Sequence, residues 1–503
     1  MPPPRLTTFL GYLPPAGWMI LAGLGLLAAA VIMSRLNRQA LAAFWATLRR
    51  VFLPGSAVII LLALGSSIGV ALQTVPKTEG AQYWLFSEAH YKVYRPLVLD
   101  WNRQHPDRLV QISQLHIYAL ERRMFSGFVA GTPVADLLAV ERPLAARAFT
   151  GPLDKVGFVD LTDRLRDGGL LANFVPGSLM PWTSRGRIFG LPLDVHPVLL
   201  AYRSDLVEAA GIDVSQVETW EDYFRILRPL QRDFDGDGRP DRWLLSLWDT
   251  NTDWILMILD QAGGGLFDQA NRPQLNAPRN AEVLARIVTW VAGPGRVCVD
   301  LDPYSGSGHR QRLEGVAIGT IMPDWMVGLW KIELPGLAGK VKLMPLPAWE
   351  PGGRRTSVWR GGTMLGITKA AAHPETAWAF ARHLALSTGL AEDLYRRTNI
   401  VPPNRALWPL KVFDEPDAYC SNQPVGRMFL QQADDVPVRA SSPFAMAAQV
   451  HLGNALVNLR AWADETGTYD LPALQREAQR LLDRAQRLLL RETGRNTFLP
   501  PAS

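Results

Sequence analysis

The first 73 residues hold five arginines, Arg5, Arg35, Arg38, Arg49 and Arg50, and no aspartate or glutamate. Two apolar runs flank most of that charge. One is "GWMILAGLGLLAAAVIM", Gly17 to Met33, and the other "VFLPGSAVIILLALGSSIGVAL", Val51 to Leu72. A helix needs roughly 20 apolar residues to cross a bilayer core, so the second run is long enough and the first slightly short. Arginines flanking a span mark its cytoplasmic side. The pattern therefore predicts a transmembrane helical hairpin over residues 1–78 with a cytoplasmic linker at about 34–50. Everything after Gln73 then lies on the periplasmic or extracellular side of the inner (plasma) membrane. The alternative is a signal peptide: translation from Met33 would make Arg35 to Arg50 its charged region and Ala57 to Leu72 its apolar core. Both alternatives export the rest of the chain and differ only in the tether.

The basic pI of 9.2 first suggests a nucleic-acid partner. The distribution of charge excludes that reading, because beyond Gln73 the chain carries 47 basic and 47 acidic residues. At 503 residues the chain exceeds one compact core. Its two cysteines, Cys298 and Cys420, allow no disulfide framework. They either pair once or stay buried and free.

From Gln82 onward, short apolar strands alternate with helically spaced segments. "YWLF" reads as a strand, "HYKVYRPLVLDWNRQHP" as a helix ended by Pro106, and "RLVQIS" as a strand. "YALERRMFSGFVAG" is the next helix and "VADLLAV", running into Glu141, the next strand. This order predicts an α/β domain with a largely parallel sheet. Ligands of such sheets bind beyond the carboxyl ends of the strands. Those ends are Phe86–His90, His116–Tyr118 and Glu141–Arg142.

Several segments, taken in order, resemble the extracellular solute-binding proteins of carbohydrate ABC importers, the group of maltose-binding and multiple-sugar-binding proteins. They are "VLDWNRQHPDRLVQIS", "GTPVADLLAVE", "IFGLPLDVHPVLLAYRSDLVEAAGID" with "ETWEDYFRIL", "GVAIGTIMPDWMV", "WRGGTMLGITKAAAHPETAWAFARHLA" and "NIVPPNRA". The match spans about 90 to 405, with "YRS" where the family usually has a Tyr-Asn pair. The resemblance implies a two-lobed Venus-flytrap fold. Lobe one would comprise 79–195 with 357–404, and lobe two 196–356 with 405–503. It also implies a carbohydrate ligand held between the lobes, and delivery to permease subunits served by a separate ATPase. A periplasmic sensor docking on a membrane partner is the second expectation, and a glycoside hydrolase the third. The motifs of serine hydrolases, zinc proteases and P-loop enzymes are missing from the sequence, and "GGG", Gly263 to Gly265, lacks the lysine a P-loop requires.

A sugar site pairs aromatic faces with carboxylates and amides. The strand-end positions that supply these groups are Glu141, Asp194, His196, Trp248, Asp249, Asp324 and Trp325. Trp359, Arg360, Gly361 and Gly362 precede another strand, and His116 with Tyr118 follows an earlier one. The loop "RDFDGDGRPDRW" places Asp233, Asp235, Asp237 and Asp241 at the first, third, fifth and ninth positions of a calcium-loop spacing. The twelfth is Leu244 instead of glutamate. The loop is either a structural calcium clip or an Asp-Gly turn. No cofactor is required for binding.

Overall fold

The computed structural model describes residues 54–72 and 79–495 except 269, 360–361 and 439–441, together with the single positions 39, 42 and 46. The first apolar run and nearly all of the arginine-bearing linker lie outside the described residues, as do Arg360 and Gly361. The chain divides into two compact units, residues 1–78 and 79–503.

In the first unit, Pro54–Leu72 is a single α-helix of 19 residues with no charged side chain. Ile59, Leu61, Leu62 and Ile68 are exposed along it. At about 1.5 Å per residue it reaches roughly 28 Å, against a hydrocarbon core of about 30 Å. Among the described residues no helix is long and apolar enough to cross a membrane.

The second unit is a two-lobed α/β fold built on two five-stranded sheets. The first runs in the order Val110–Gln114, Ala81–Leu85, Leu137–Glu141, Thr363–Ile367, Leu191–Pro192. Its first three strands are parallel, and Thr363–Ile367 returns antiparallel, with Thr363 opposite Glu141. The second runs Val341–Met344, Val198–Arg203, Ala317–Pro323, Trp243–Ser246, Cys298–Val299. There Ala317–Pro323, Trp243–Ser246 and Cys298–Val299 are parallel. Their carboxyl ends share one edge, which gathers loops from distant parts of the sequence.

Local chemistry places the helices. Ser87 caps Glu88–Gln104 by accepting the His90 N–H, two residues before the spacing alone would start the helix. Gly131, left-handed at φ 67°, closes Ile117–Ala130 where the sequence puts a glycine. Thr219 and Asp222 form a reciprocal capping box at Trp220–Leu227, satisfying two otherwise orphaned backbone donors. Asp136, from the "GTPVAD" turn, is buried and accepts the Gln82 and His373 N–H groups at 2.7 Å each. It thereby ties the strand Ala81–Leu85 to the start of the helix Pro374–Leu386. Cys298 and Cys420 are both buried and free.

Candidate functional site

The crossovers between the sheets run side by side. Val198 N–H donates to the Ser357 carbonyl at 3.2 Å, Trp359 N–H to that of His196 at 2.9 Å, and Leu193 N–H to that of Thr363 at 2.9 Å. At their centre lies His196, in the left-handed region at φ 50°. Its Nδ1 donates to Asp324 Oδ1 at 2.8 Å and its Nε2 faces Asp194 Oδ2 at 3.2 Å. The carboxylates are themselves held. Both Asp194 oxygens accept the Thr363 N–H at 3.1 Å. Asp324 Oδ1 accepts the Trp325 N–H at 2.8 Å, and Oδ2 that of Val401 at 2.9 Å. One imidazole thus ties the ends of both sheets to the third crossover at Val401.

The electrostatics follow from burial. Asp194, His196 and Asp324 are 4%, 7% and 0% exposed. Burial alone would depress the His196 imidazolium, but Asp194 and then Asp324 outweigh it and hold its pKa up at about 10. Burial raises the Asp194 carboxyl, yet His196, His90 and the Thr363 N–H together hold it below its usual range. His90 goes the other way. Buried against the Tyr94 ring, it falls to about 4, because burial and the His196 charge exceed the pull of Asp194.

Beside this junction is a row of aromatic rings. Trp254 meets Trp359 edge-on at 5.4 Å, Trp359 meets Trp325 at 5.6 Å, Trp325 stacks with Tyr304 at 6.3 Å, and Tyr304 meets Trp248 at 6.2 Å. Trp248, Tyr304 and Trp325 each follow a strand of the shared edge of the second sheet. Glu141 comes from the first sheet. Burial raises its pKa, with Asp194 and Asp253 adding to the effect. Burial, Asp253, Asp302 and Glu141 push the half-exposed Tyr304 up to about 12. Glu141 is therefore within electrostatic reach of Asp253 and Tyr304, which come from the other sheet. Trp254 Nε1, Trp325 Nε1 and Asp249 Oδ1 are buried with no hydrogen-bond partner among the described residues.

The candidates chosen from sequence divide accordingly. Trp248, Trp325 and Trp359 join the aromatic row, and Glu141 ends the first-sheet strand Leu137–Glu141. Asp194, His196 and Asp324 meet one another and are occupied by protein donors. Asp249 is buried against Arg460. Gly362 sits at φ 110°, with Asp194 Oδ1 only 2.9 Å from where a Cβ would stand. His116 caps its helix weakly at 3.4 Å, and Tyr118 beside it is exposed. Asp253, Trp254 and Tyr304 escaped the sequence reading. Asn251, whose side chain accepts the Asp253 N–H, was the available sign that a helix start places the first two at the strand end.

Asp233, Asp235 and Asp237 bring one oxygen each within 4.8 Å of one another and are exposed. Asp241 instead accepts the Phe234 N–H at 2.7 Å. Asp233 accepts the Gly236 and Gly238 N–H groups, and Asp237 that of Arg239, so the loop holds its own turn. Calcium takes about six to eight oxygens, so a clip at these three carboxylates needs water or backbone ligands as well.

Residues 87–389 match the family model described as bacterial extracellular solute-binding protein. The arabinooligosaccharide-binding protein of Bacillus subtilis is 26% identical over 345 residues, 66% of this chain and 72% of that protein. The lactose-binding protein of Rhizobium radiobacter is 23% identical over 350 residues, 67% of this chain and 78% of that protein. The sugar-binding protein MalE of Xanthomonas citri has a similar fold, with TM-score 0.65 at 18% identity over 82% of this chain and 98% of that one.

Three outcomes test the junction. A histidine whose folded pKa is raised stabilises fully below its unfolded pKa of about 6.5. That contribution fades as pH rises toward the folded value of about 10. His90, depressed to about 4, stabilises above its unfolded value and loses that contribution as pH falls. Melting temperature should therefore peak near neutrality. His196→Gln should lower it by several degrees at the peak and flatten the alkaline limb, as read by calorimetry across pH; an unchanged limb contradicts the assignment. Gly362→Ala should also melt earlier, since the added Cβ meets the Asp194 carboxylate and the φ is strained.

Proposed function

This chain belongs to the bacterial extracellular solute-binding protein family, and on that premise we propose that it captures a carbohydrate between its two lobes and delivers it to the permease of an ABC importer. The observation that carries this reading is the row of Trp254, Trp359, Trp325, Tyr304 and Trp248 beside Glu141 and Asp253. Aromatic faces cover the weakly apolar faces of a pyranose or furanose ring. Carboxylates accept its hydroxyl protons. The named sugar-binding relatives support the same ligand class.

The groups come from both sheets, so a sugar touching Glu141 and Trp325 together interacts better with the closed arrangement than with an open one. That differential affinity is all that closure requires. Release to a permease follows when the closed form docks and the lobes part. Binding occurs without turnover, so Glu141 and Asp253 act as hydrogen-bond acceptors and not as a hydrolytic pair. We also place the body on the extracytoplasmic face, held at the membrane by the apolar segment 1–78, in which the exposed Ile59, Leu61 and Leu62 suit lipid better than water.

A thermal-shift panel of arabino-oligosaccharides, lactose, maltose and monosaccharides tests the reading on residues 79–503. A ligand of the folded state raises the melting temperature by mass action, so one sugar class should shift it. Trp325→Ala should abolish that shift while leaving the unliganded melting point within a few degrees of the parent. No shift with any sugar, or an equal shift in the variant, overturns the proposal.

A further inference from the structure

The helix Leu471–Thr493 buries one stripe, Leu474, Ala478, Leu481, Leu482, Ala485 and Leu489, against the second lobe. It is rigidly mounted there: Gln486 accepts the Leu275 N–H at 2.8 Å, and Gln479 donates to the Asn276 carbonyl at 2.9 Å. On its outer face Arg476, Arg480, Arg484, Arg487 and Arg491 are all exposed. At about 100° per residue these positions fall within an arc of roughly 80°, and they extend about 22 Å along the axis. The acids of the helix do not neutralise them. Glu477 pairs only with Arg480, Asp483 turns inward to Asn276 and Gln479, and Glu492 faces His451. Arg476, Arg484, Arg487 and Arg491 have no ion-pair partner among the described residues. This concentration is local, because the chain beyond Gln73 carries equal numbers of basic and acidic residues.

We infer that this arginine row docks the body on an anionic lipid surface. The occupant follows from charge. A straight row of guanidiniums, four of the five without an ion-pair partner among the described residues, complements a plane of phosphates, which each can grip in a bidentate manner. A chain anchored in a membrane, as proposed above, meets such a surface at high local concentration. The leucines Leu488 and Leu490, 39% and 40% exposed, flank the row. The apolar stripe is already buried, so the contact is electrostatic and lies at headgroup depth without insertion. The inference rests on the membrane-tethered reading, and the test separates the two.

Residues 79–503, a compact unit with its own cores, would be co-sedimented with vesicles of phosphatidylcholine alone or mixed with phosphatidylglycerol. Binding should require phosphatidylglycerol and weaken as salt is raised. Each arginine near such a surface is worth on the order of fivefold in partitioning, so the combined Arg484→Gln, Arg487→Gln, Arg491→Gln variant should bind about a hundredfold less. A control neutralising the exposed Arg95, Arg122 and Arg382 of the first lobe should bind like the parent. No binding to phosphatidylglycerol at low salt, or equal loss in the control, overturns the inference. The tether is read separately, by whether the full chain stays with membranes after alkaline extraction while 79–503 does not.

Discussion

An imidazolium clamped between two buried carboxylates is the contact on which the second unit depends. Asp194 belongs to the crossover that leaves the first sheet, Asp324 begins the helix after the longest strand of the second, and His196 links them. Through Thr363 and Val401 the same three side chains take in the other two crossovers. Buried ion pairs are weak evidence of net stability, because desolvation offsets much of the Coulomb gain. Removing one partner is different: it strands a buried charge, at about 3–5 kcal/mol. The arrangement therefore specifies geometry more than it adds stability. The positive φ of His196 and the glycine at 362 are the local conditions for bringing the charges together.

The junction and the aromatic row are built on the same segments, so the proposed ligand contact and the crossovers are joined. Asp324 and Trp325 are adjacent, and the Trp325 N–H donates to the Asp324 carboxylate that holds His196. Trp359 hydrogen-bonds the His196 carbonyl from the neighbouring crossover. A ring bound against Trp325 and Trp359 thus rests on the segments that set the angle between the lobes. This is a physical route from ligand contact to closure. Glu141, from the first sheet, is partly desolvated, and burial with the Asp194 and Asp253 charges raises its pKa.

Much of this was legible in the sequence. Strand–helix alternation located the first parallel sheet, and the carboxyl-end rule singled out Glu141, Trp248, Asp324 and Trp325 with no knowledge of their contacts. The pairing of His196 with Asp324 was not legible, since the two are 128 residues apart and only the crossing of two segments brings them together. For the same reason a buried clamp could not be told from a ligand contact at Asp194, His196 and Asp324. Each has the residue type and the strand-end position of a site residue, and only burial and partners distinguish the roles. Tyr304 was missed because its turn, "LDPYSGSG", carries no periodicity of its own. Its place is set by the two-residue strand Cys298–Val299, too short to read from pattern.

The most direct measurement is hydrogen–deuterium exchange on residues 79–503 with and without the sugar that raises the melting temperature. Capture between the lobes predicts slowed exchange on both sides at once, at 248–254, 301–306 and 324–326 from the second sheet and at 141–145 and 362–364 from the first. Protection confined to one lobe, or lying away from these segments, would contradict the account.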